Sequence, residues 1–271
     1  MSTIYGEGFY LMGGPPVPKA SLTPKSGITY TSGLSGIDPA TLTLFSQAIS
    51  NNAAITYTTN TVYVDYEQTH VKIDVGNQVT IALNGTNYVF DVIGFNHDVL
   101  TNANAYGKAT ATGKAGITFQ MHDLFATTYA MNSNSTNSGG WKSSAMRTST
   151  MATMKGYLPV AWQTAIKPVN KVSGVGGVSN ETETVSDDCF LLADIEIFGS
   201  TTNSASGEGM QYAYYKAGNS KVKKKGGSAN IWWERSPITE FPTSFCCVTK
   251  TGAASNATAN KDRGVAFGFC V

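Results

Sequence analysis

Polar and apolar positions along this chain alternate more often than they recur at helical spacing. Across 53–66, Val62 and Val64 fall on one side and Tyr63 and Asp65 on the other, the period of two that marks a half-buried strand. Val71-Lys-Ile-Asp-Val75 repeats the pattern, and Gly76-Asn77 turns the chain. Residues 78–83 and 88–93 flank Asn84-Gly85, one of the strongest short hairpin signals. Further strands are expected at 117–121, 231–235, 245–250 and 265–271. Another is expected at Cys189-Phe-Leu-Leu-Ala-Asp-Ile-Glu-Ile-Phe198, whose apolar character marks it as central. In Asn230-Ile-Trp-Trp-Glu-Arg-Ser-Pro237 the adjacent Trp232 and Trp233 must point to opposite faces, one toward a core and one toward a second layer or a site. Arg235 alternates with them, and Pro237 ends the run because it has no N–H to donate.

Helical spacing appears in fewer places. Asp38-Pro39 reads as a cap and first turn, followed by Leu42, Phe45, Ala48 and Ile49 and ended by Asn51-Asn52. A helix capped by Asp123 is expected through Leu124, Phe125 and Tyr129. Ser143 or Ser144 caps another, with Met146, Thr150, Met151 and Met154 as its stripe; Leu158-Pro159 restarts a last one through Trp162, Ile166 and Val169. Polar stretches at 132–140, 173–184, 199–209 and 216–230 read as loops. Residues 1–36, with Gly13-Gly-Pro-Pro-Val-Pro18 and Gly33-Leu-Ser-Gly36, read as an extended arm that lies on a neighbouring chain or stays mobile. The helix at 39–50 is expected to pack on that arm or on a symmetry mate. The fold class that follows is α+β: the arm, a short helix and β-strands over 1–74, then a domain over 75–271 with a mixed or antiparallel sheet and two helices.

Composition supports the strand-rich reading. Charged residues make up only 14% of the 271 positions, and the net charge of +1 gives no electrostatic case for nucleic acid. The one basic run, Lys221-Val-Lys-Lys-Lys225, sits between glycines and reads as a solvated loop tip, with an anionic-polymer contact as the minority reading. The first residues have neither the basic nor the apolar region of a secretory signal, and no apolar run approaches a membrane span. Cys189, Cys246, Cys247 and Cys270 match no zinc spacing and read as buried free thiols, with a bridge from Cys270 to one of the adjacent pair left open.

Candidate chemistry is sparse. His97-Asp98 offers a base with its orienter or a pair of metal ligands, but a turn in which Asp98 or Asn96 bonds local backbone amides is the better reading. Asp187-Asp188 offers oxygen ligands to a hard cation, or a turn rich in acceptors. Arg147 and Arg235 are expected to form a buried ion pair with Glu196 or Glu234 that locks helix to sheet. Tyr212, Tyr214 and Tyr215 provide either core or a rigid contact surface with polar tips, and Tyr212 and Tyr214 are carried as binding candidates. No catalytic residue, metal or cofactor is expected. The four Asn-x-Thr sequons read as chance.

A series of motifs does carry a resemblance. Gly94-Phe-Asn-His-Asp98, Gly116-Ile-Thr-Phe119, Gly140-Trp141-x-Ser143-x-x-x-Arg147, Phe190-Leu-Leu with Glu196, Trp232-Trp-x-Arg-Ser-Pro237 and the closing Gly-Val-x-Phe-Gly-Phe-Cys occur in order. Together they resemble a domain family of gut bacteria, their phages and prophages. That family looks like a branch of the C-type-lectin-like fold, related to phage tropism determinants and to formylglycine-generating enzymes. The N-terminal part resembles attachment segments of phage structural proteins. The resemblance implies a virion structural protein, assembled in the host cytoplasm, that displays a lectin-like domain to a host-surface glycan or protein and performs no catalysis. It further implies contact with other virion proteins through the N-terminal region and a homo-oligomer, a trimer in preference, with neither nucleic acid nor membrane as partner. The alternatives are a capsid or tail decoration protein without a receptor, and an enzyme on the formylglycine-generating scaffold, whose paired cysteines find no match here. In the tropism proteins the ligand face is built from the last strands and their loops. Carried over, this marks Glu240 and Phe241 in 239–244 and Ser255, Asn256, Thr258 and Asn260 in the loop 252–263 as binding candidates, over a core motif of Trp141, Arg147, Trp232, Trp233 and Arg235.

Overall fold

A computed structural model describes residues 16–201 and 203–271. The chain opens with β1 (Lys19–Ser21) and β2 (Thr31–Ser32), followed by helix α1 (Pro39–Ser50) and the hairpin β3 (Thr61–Tyr66) and β4 (Thr69–Asp74). These strands form a four-stranded sheet in the order β1-β3-β4-β2. Val62, Val64, Val71 and Ile73 face the core and their neighbours do not. Asp38 caps α1 as expected, its Oδ1 accepting from Ala40 N at 2.9 Å and Thr41 N at 3.1 Å. Within the described part of the expected arm, 16–36, β1 pairs with β3 and β2 with β4 of the same chain; Gly13 to Pro15 and the residues before them lie outside the described residues.

Next come β5 (Gln78–Leu83) and β6 (Thr86–Phe95), joined at Asn84-Gly85 with φ of 45° and 83°, the two positive values that a tight hairpin requires. After β7 (Ile117–Met121) the chain does not form the helix expected at 123–129. Its backbone bonds are taken by distant partners instead: Leu124 N by Lys224 O, Phe125 N by Val265 O, and Tyr129 pairs with Arg263. Asp123 caps no helix; its Oδ1 accepts from Lys224 N.

The helical segments α2 (Gly140–Ser143), a π-helical turn Met146–Thr150, α3 (Met151–Tyr157) and α4 (Val160–Ala165) follow. Ser144 Oγ accepts from Arg147 N, and Met146, Met151 and Met154 form the buried stripe. Val169 is not the end of that helix but the start of β8 (Val169–Gly174), which pairs with β9 (Thr182–Asp187) and so converts both ends of the expected 173–184 loop into strand.

The expected central strand 189–198 is strand only at β10 (Cys189–Phe190), an edge strand, and becomes helix α5 (Asp194–Phe198). The apolar run fits either element by pattern alone. Here the Leu191 and Leu192 carbonyls accept from Arg235, and Glu196 Oε2 accepts from Ala193 N at 3.0 Å, which starts the helix. The tyrosine run at 211–215 enters a helix at its end: Tyr214 and Tyr215 lie in α6 (Ala213–Lys216), and Tyr212 precedes it.

The chain finishes with β11 (Lys223–Lys225), β12 (Ser228–Asn230), β13 (Trp232–Pro237), β14 (Ser244–Val248), β15 (Ala254–Thr258) and β16 (Gly268–Cys270). A five-stranded antiparallel sheet runs β10-β16-β7-β6-β5, and a three-stranded one runs β13-β14-β15. The expected 252–263 loop thus contains an edge strand. One contiguous core takes in side chains from Leu34 to Val271, on both sides of the expected 74/75 boundary. The structure is α+β, mostly sheet with short helices.

Helix α1 packs on β1 of the arm, as expected, Asn52 Nδ2 just past its end donating to Ala20 O at 3.0 Å, and it is also built into this core. Ser46 Oγ accepts from Ile117 N at 3.0 Å and donates to Val271 O, and Tyr106 OH donates to the same carbonyl at 2.7 Å. A Cβ on Gly116 would lie 2.0 Å from Ser46 O, so only glycine admits the helix there. Among the described residues no helix is long and apolar enough to cross a membrane.

Candidate functional site

Two regions concentrate polar chemistry. The first is a buried charge cluster. Asn96, just past β6, has a positive φ of 44° and donates from Nδ2 to Ile49 O and Ile55 O, which turns the chain inward. Asp98 then points into the core instead of bonding nearby amides, correcting the turn expected there. Lys171 arrives from the inward face of β8, Glu196 from α5, Tyr212 from the residue before α6, and Arg235 from β13. Lys171 Nζ lies 2.7 Å from both Asp98 Oδ1 and Glu196 Oε1 and 3.1 Å from the Tyr212 hydroxyl. Arg235 grips Glu196 with two nitrogens, at 2.5 and 3.0 Å. Its remaining donors reach the Leu191, Val172 and Glu208 carbonyls. Asp98 also accepts from Tyr212 at 2.9 Å and from Thr118 at 2.7 Å. His97 stacks on Tyr212 with centroids 3.7 Å apart, and its Nε2 is 2.8 Å from Met210 O.

The side chains of Lys171, Asp98 and Glu196 are each only 2% exposed, and that of Arg235 is fully buried. Burial opposes ionisation of Asp98, yet Lys171 and His97 hold its carboxyl well below the usual range. Burial likewise opposes ionisation of Glu196, and Arg235 and then Lys171 overcome it. Two carboxylates therefore face two cations. The ligand atoms of His97, Asp98 and Glu196 lie within 4.8 Å of one another, a spacing suited to a metal ion. The Lys171 ammonium already stands between the two carboxylates, and an ion would have to displace it. A cavity of about 170 Å³ is lined by His97, Asp98, Lys171, Glu196 and Glu208, groups already bonded within the protein.

The expected Arg235–Glu196 ion pair is present, while Arg147 takes a different partner. Its Nε donates to Asp187 Oδ1 at 2.6 Å, and Trp141 Nε1 donates to Asp187 Oδ2 at 2.7 Å. Asp188 pairs with Lys155 at 2.7 Å. Trp141, Trp232 and Trp233 are fully buried, and the indoles of the last two reach opposite partners, Lys221 O and Tyr129 O. Glu234 pairs with neither arginine. It is fully buried, and neither carboxyl oxygen has a hydrogen-bond partner among the described residues. Burial, then Asp194 and Glu208, push its carboxyl well above the usual range. All four cysteines are free and buried. Burial pushes every thiol up, Cys247 to about 12, so none presents a thiolate at neutral pH.

The second region is the open edge of the β13-β14-β15 sheet. Strand β15 pairs with β14 on one side only, with Asn256 opposite Cys246 and Thr258 opposite Ser244. Ala259 N donates to Thr243 O at 2.8 Å, which brings the 239–244 turn against the end of β15. Glu240, Asn256 and Asn260 are exposed, Ser255 and Thr258 half-buried, and the Phe241 ring is 52% exposed. Asn137 fixes the turn, donating from Nδ2 to the Ile238, Phe241 and Ser244 carbonyls at 2.9, 3.0 and 2.9 Å. Tyr212 and Tyr214 are not part of this edge. Both are buried, Tyr212 within the charge cluster and Tyr214 in contact distance of Gly76.

Sequence reasoning missed Lys171, Glu208 and Asn137. The signal for Lys171 was its alternation with Val169 and Ser173 on one buried face. Nothing local distinguishes Asn137 within a run of Asn, Ser and Thr.

Residues 115–271 match the family model of a domain of unknown function, DUF6273. The chain belongs to the DUF6273 family. The match takes in Lys171, Glu196, Arg235, Asn137 and the whole sheet edge, whereas His97 and Asp98 lie ahead of it. No curated protein and no solved structure matches the chain.

Proposed function

We propose that this DUF6273 protein is a non-catalytic binding module of the C-type-lectin-like kind, carried on a phage or prophage virion and presenting the β15 edge to a host-surface glycan. The observation that carries the reading is the exposed Phe241 on a turn fixed by Asn137, set against the end of β15, whose strand and following residues carry Ser255, Asn256, Thr258 and Asn260. A sugar offers an apolar face to a ring and hydroxyls to amide and hydroxyl side chains, so this edge has both halves of the chemistry. Preorganisation by Asn137 lowers the ordering cost of binding. The five-stranded sheet, the separate three-stranded sheet and the two helices α3 and α4 are compatible with a lectin-like domain. The absence of catalysis is favoured because the polar groups around Asp98 are bonded to one another and the thiols are held protonated. In this reading 1–74 contributes to assembly, and the particle carries the protein as a homo-oligomer, a trimer in preference.

The test is a glycan array with the intact protein, alongside Phe241→Ala and Asn256→Ala. Binding by the parent and loss in both variants is the expected result. An array without signal, or signal untouched by both changes, overturns the reading. Electron cryomicroscopy of the parent particle then tests the virion placement: the β15 edge should face outward, and an edge packed against another virion protein makes the molecule a fastener instead.

A further inference from the structure

The basic run at 221–225 is not the solvated loop tip expected from its glycines. Strand β11 pairs with β12 across Gly226-Gly227, whose φ values of 57° and 82° close the hairpin. Alternation sends Lys223 inward, where Nζ donates to the Met121 and His122 carbonyls and lies 5.6 Å from the Trp232 ring. Burial lowers its pKa to about 8. Lys223 thus anchors the hairpin to the body of the protein, and Lys221, Lys224 and Lys225 remain outside or half-outside. The 249–252 turn packs on the hairpin's entry: a Cβ on Gly252 would lie 3.3 Å from Val222 and 3.5 Å from Lys221. Lys250, two residues before Gly252 in that turn, is exposed.

None of these four lysines makes an ion pair among the described residues. The carboxylate bonded to the hairpin, Asp123, accepts from the Lys224 backbone N. In a chain of net charge +1 this is a local concentration of uncompensated positive charge on a fixed scaffold.

We propose that the β11–β12 hairpin and the 249–252 turn form a docking surface for an anionic polysaccharide, whose carboxylate, sulfate or phosphate groups meet Lys221, Lys224, Lys225 and Lys250. Single-stranded nucleic acid sites add exposed rings for base stacking, and membrane-surface sites add an apolar anchor. Among the described residues the large exposed apolar side chains, Phe241 and Met210 among them, lie outside the hairpin and the turn, and the ring beside these lysines, Phe198 at 5.6 Å from Lys221 Nζ, is half-buried. A polyanion held by charge alone fits that composition. The surface is separate from the Phe241 turn, so the two can fail independently.

The experiment uses the full chain with heparin as probe, neutral dextran as the uncharged comparison and duplex DNA as competitor, across a salt series. The parent is expected to bind heparin and not dextran, with affinity falling steeply as salt rises. Lys224→Ala, Lys225→Ala and Lys250→Ala combined should weaken binding about tenfold or more and flatten the salt dependence, with an unchanged circular dichroism spectrum. If the combined variant misfolds, Lys224→Glu and Lys250→Glu are read singly, each expected to weaken binding while the Arg replacements retain it. Phe241→Ala should leave heparin binding intact. Equal binding by parent and variants overturns the proposal, as does loss of binding in Phe241→Ala. Tighter binding to DNA than to heparin at matched charge overturns the polysaccharide assignment in favour of nucleic acid.

Discussion

The cluster around Lys171 and the edge of β15 use polar residues in opposite ways. In the cluster nearly every donor meets an acceptor inside the protein, and the charged side chains are almost wholly buried. At the edge the side chains have few partners of their own and face solvent. A buried ion pair adds little net stability over a well-packed apolar one, but leaving one member alone is costly. The cluster therefore makes the fold intolerant of change, and the edge is free to vary at low cost. Polar density alone would have marked the cluster as the site. Satisfaction of hydrogen bonds points to the edge.

That contrast can be broken by substitution, beginning inside. Arg235→Ala leaves Glu196 in the core without its strongest partner and should cost about 3–5 kcal/mol, read by denaturant unfolding. A loss near that of an exposed arginine would mean the cluster is hydrated and open. Gly116→Ala forces a methyl against Ser46 O and should cost about 1–3 kcal/mol, with the loss disappearing if α1 does not seat there in solution.

Glu234→Gln should act in the other direction and depend on pH. The folded carboxyl is held above its unfolded value, so the folded state keeps its proton longer. No penalty exists below the unfolded pKa, and one grows as pH rises through neutrality. The amide does not titrate, so the variant should melt like the parent near pH 4 and above it at pH 8. Equal melting at both values would show that Glu234 is not proton-bearing. Asp98 and Glu196 carry the opposite sign: their stability is present at neutral pH and is lost as pH falls. The smallest effect is expected for Asn256→Ala, within about 0.5 kcal/mol of the parent in unfolding, while glycan binding is lost. A large stability loss there would place β15 in a buried role.

Legibility in the sequence followed the range of the forces involved. The α1 cap, the Asn84-Gly85 hairpin and the inward faces of β3 and β4 are decided within a few residues and could be read. The Arg235–Glu196 pair was readable because a lone arginine in an apolar strand demands a buried acceptor. Residues 189–198 were misread because their apolar run suits strand or helix. The choice was made by Arg235, which takes the Leu191 and Leu192 carbonyls out of any ladder. Strand β15, Ala-Ser-Asn-Ala-Thr, has weak strand propensity and forms because β14 offers it an edge. Segment 123–129 has a helical pattern but surrenders its backbone bonds to 224 and 263–265. Of the edge candidates, Glu240 and Phe241 sit on the turn that meets the end of β15, Asn256 and Thr258 share one face of that strand, Ser255 takes the other face opposite Cys247 and Asn260 follows the strand, while Tyr212 went to the interior because its hydroxyl completes the hydrogen bonding of Asp98.

The seating of α1 against Gly116, Ile117 and Val271 bears on how such a domain passes between genes. Both borders of the 115–271 segment are held by side chains that precede it, Ser46 and Tyr106. A recombination breakpoint at the segment's first residue would transfer it without its clasp and leave a strand amide and a buried carbonyl unclaimed. Inheritance of this domain in working form requires either that the upstream helix travel with it or that the recipient already encode a substitute.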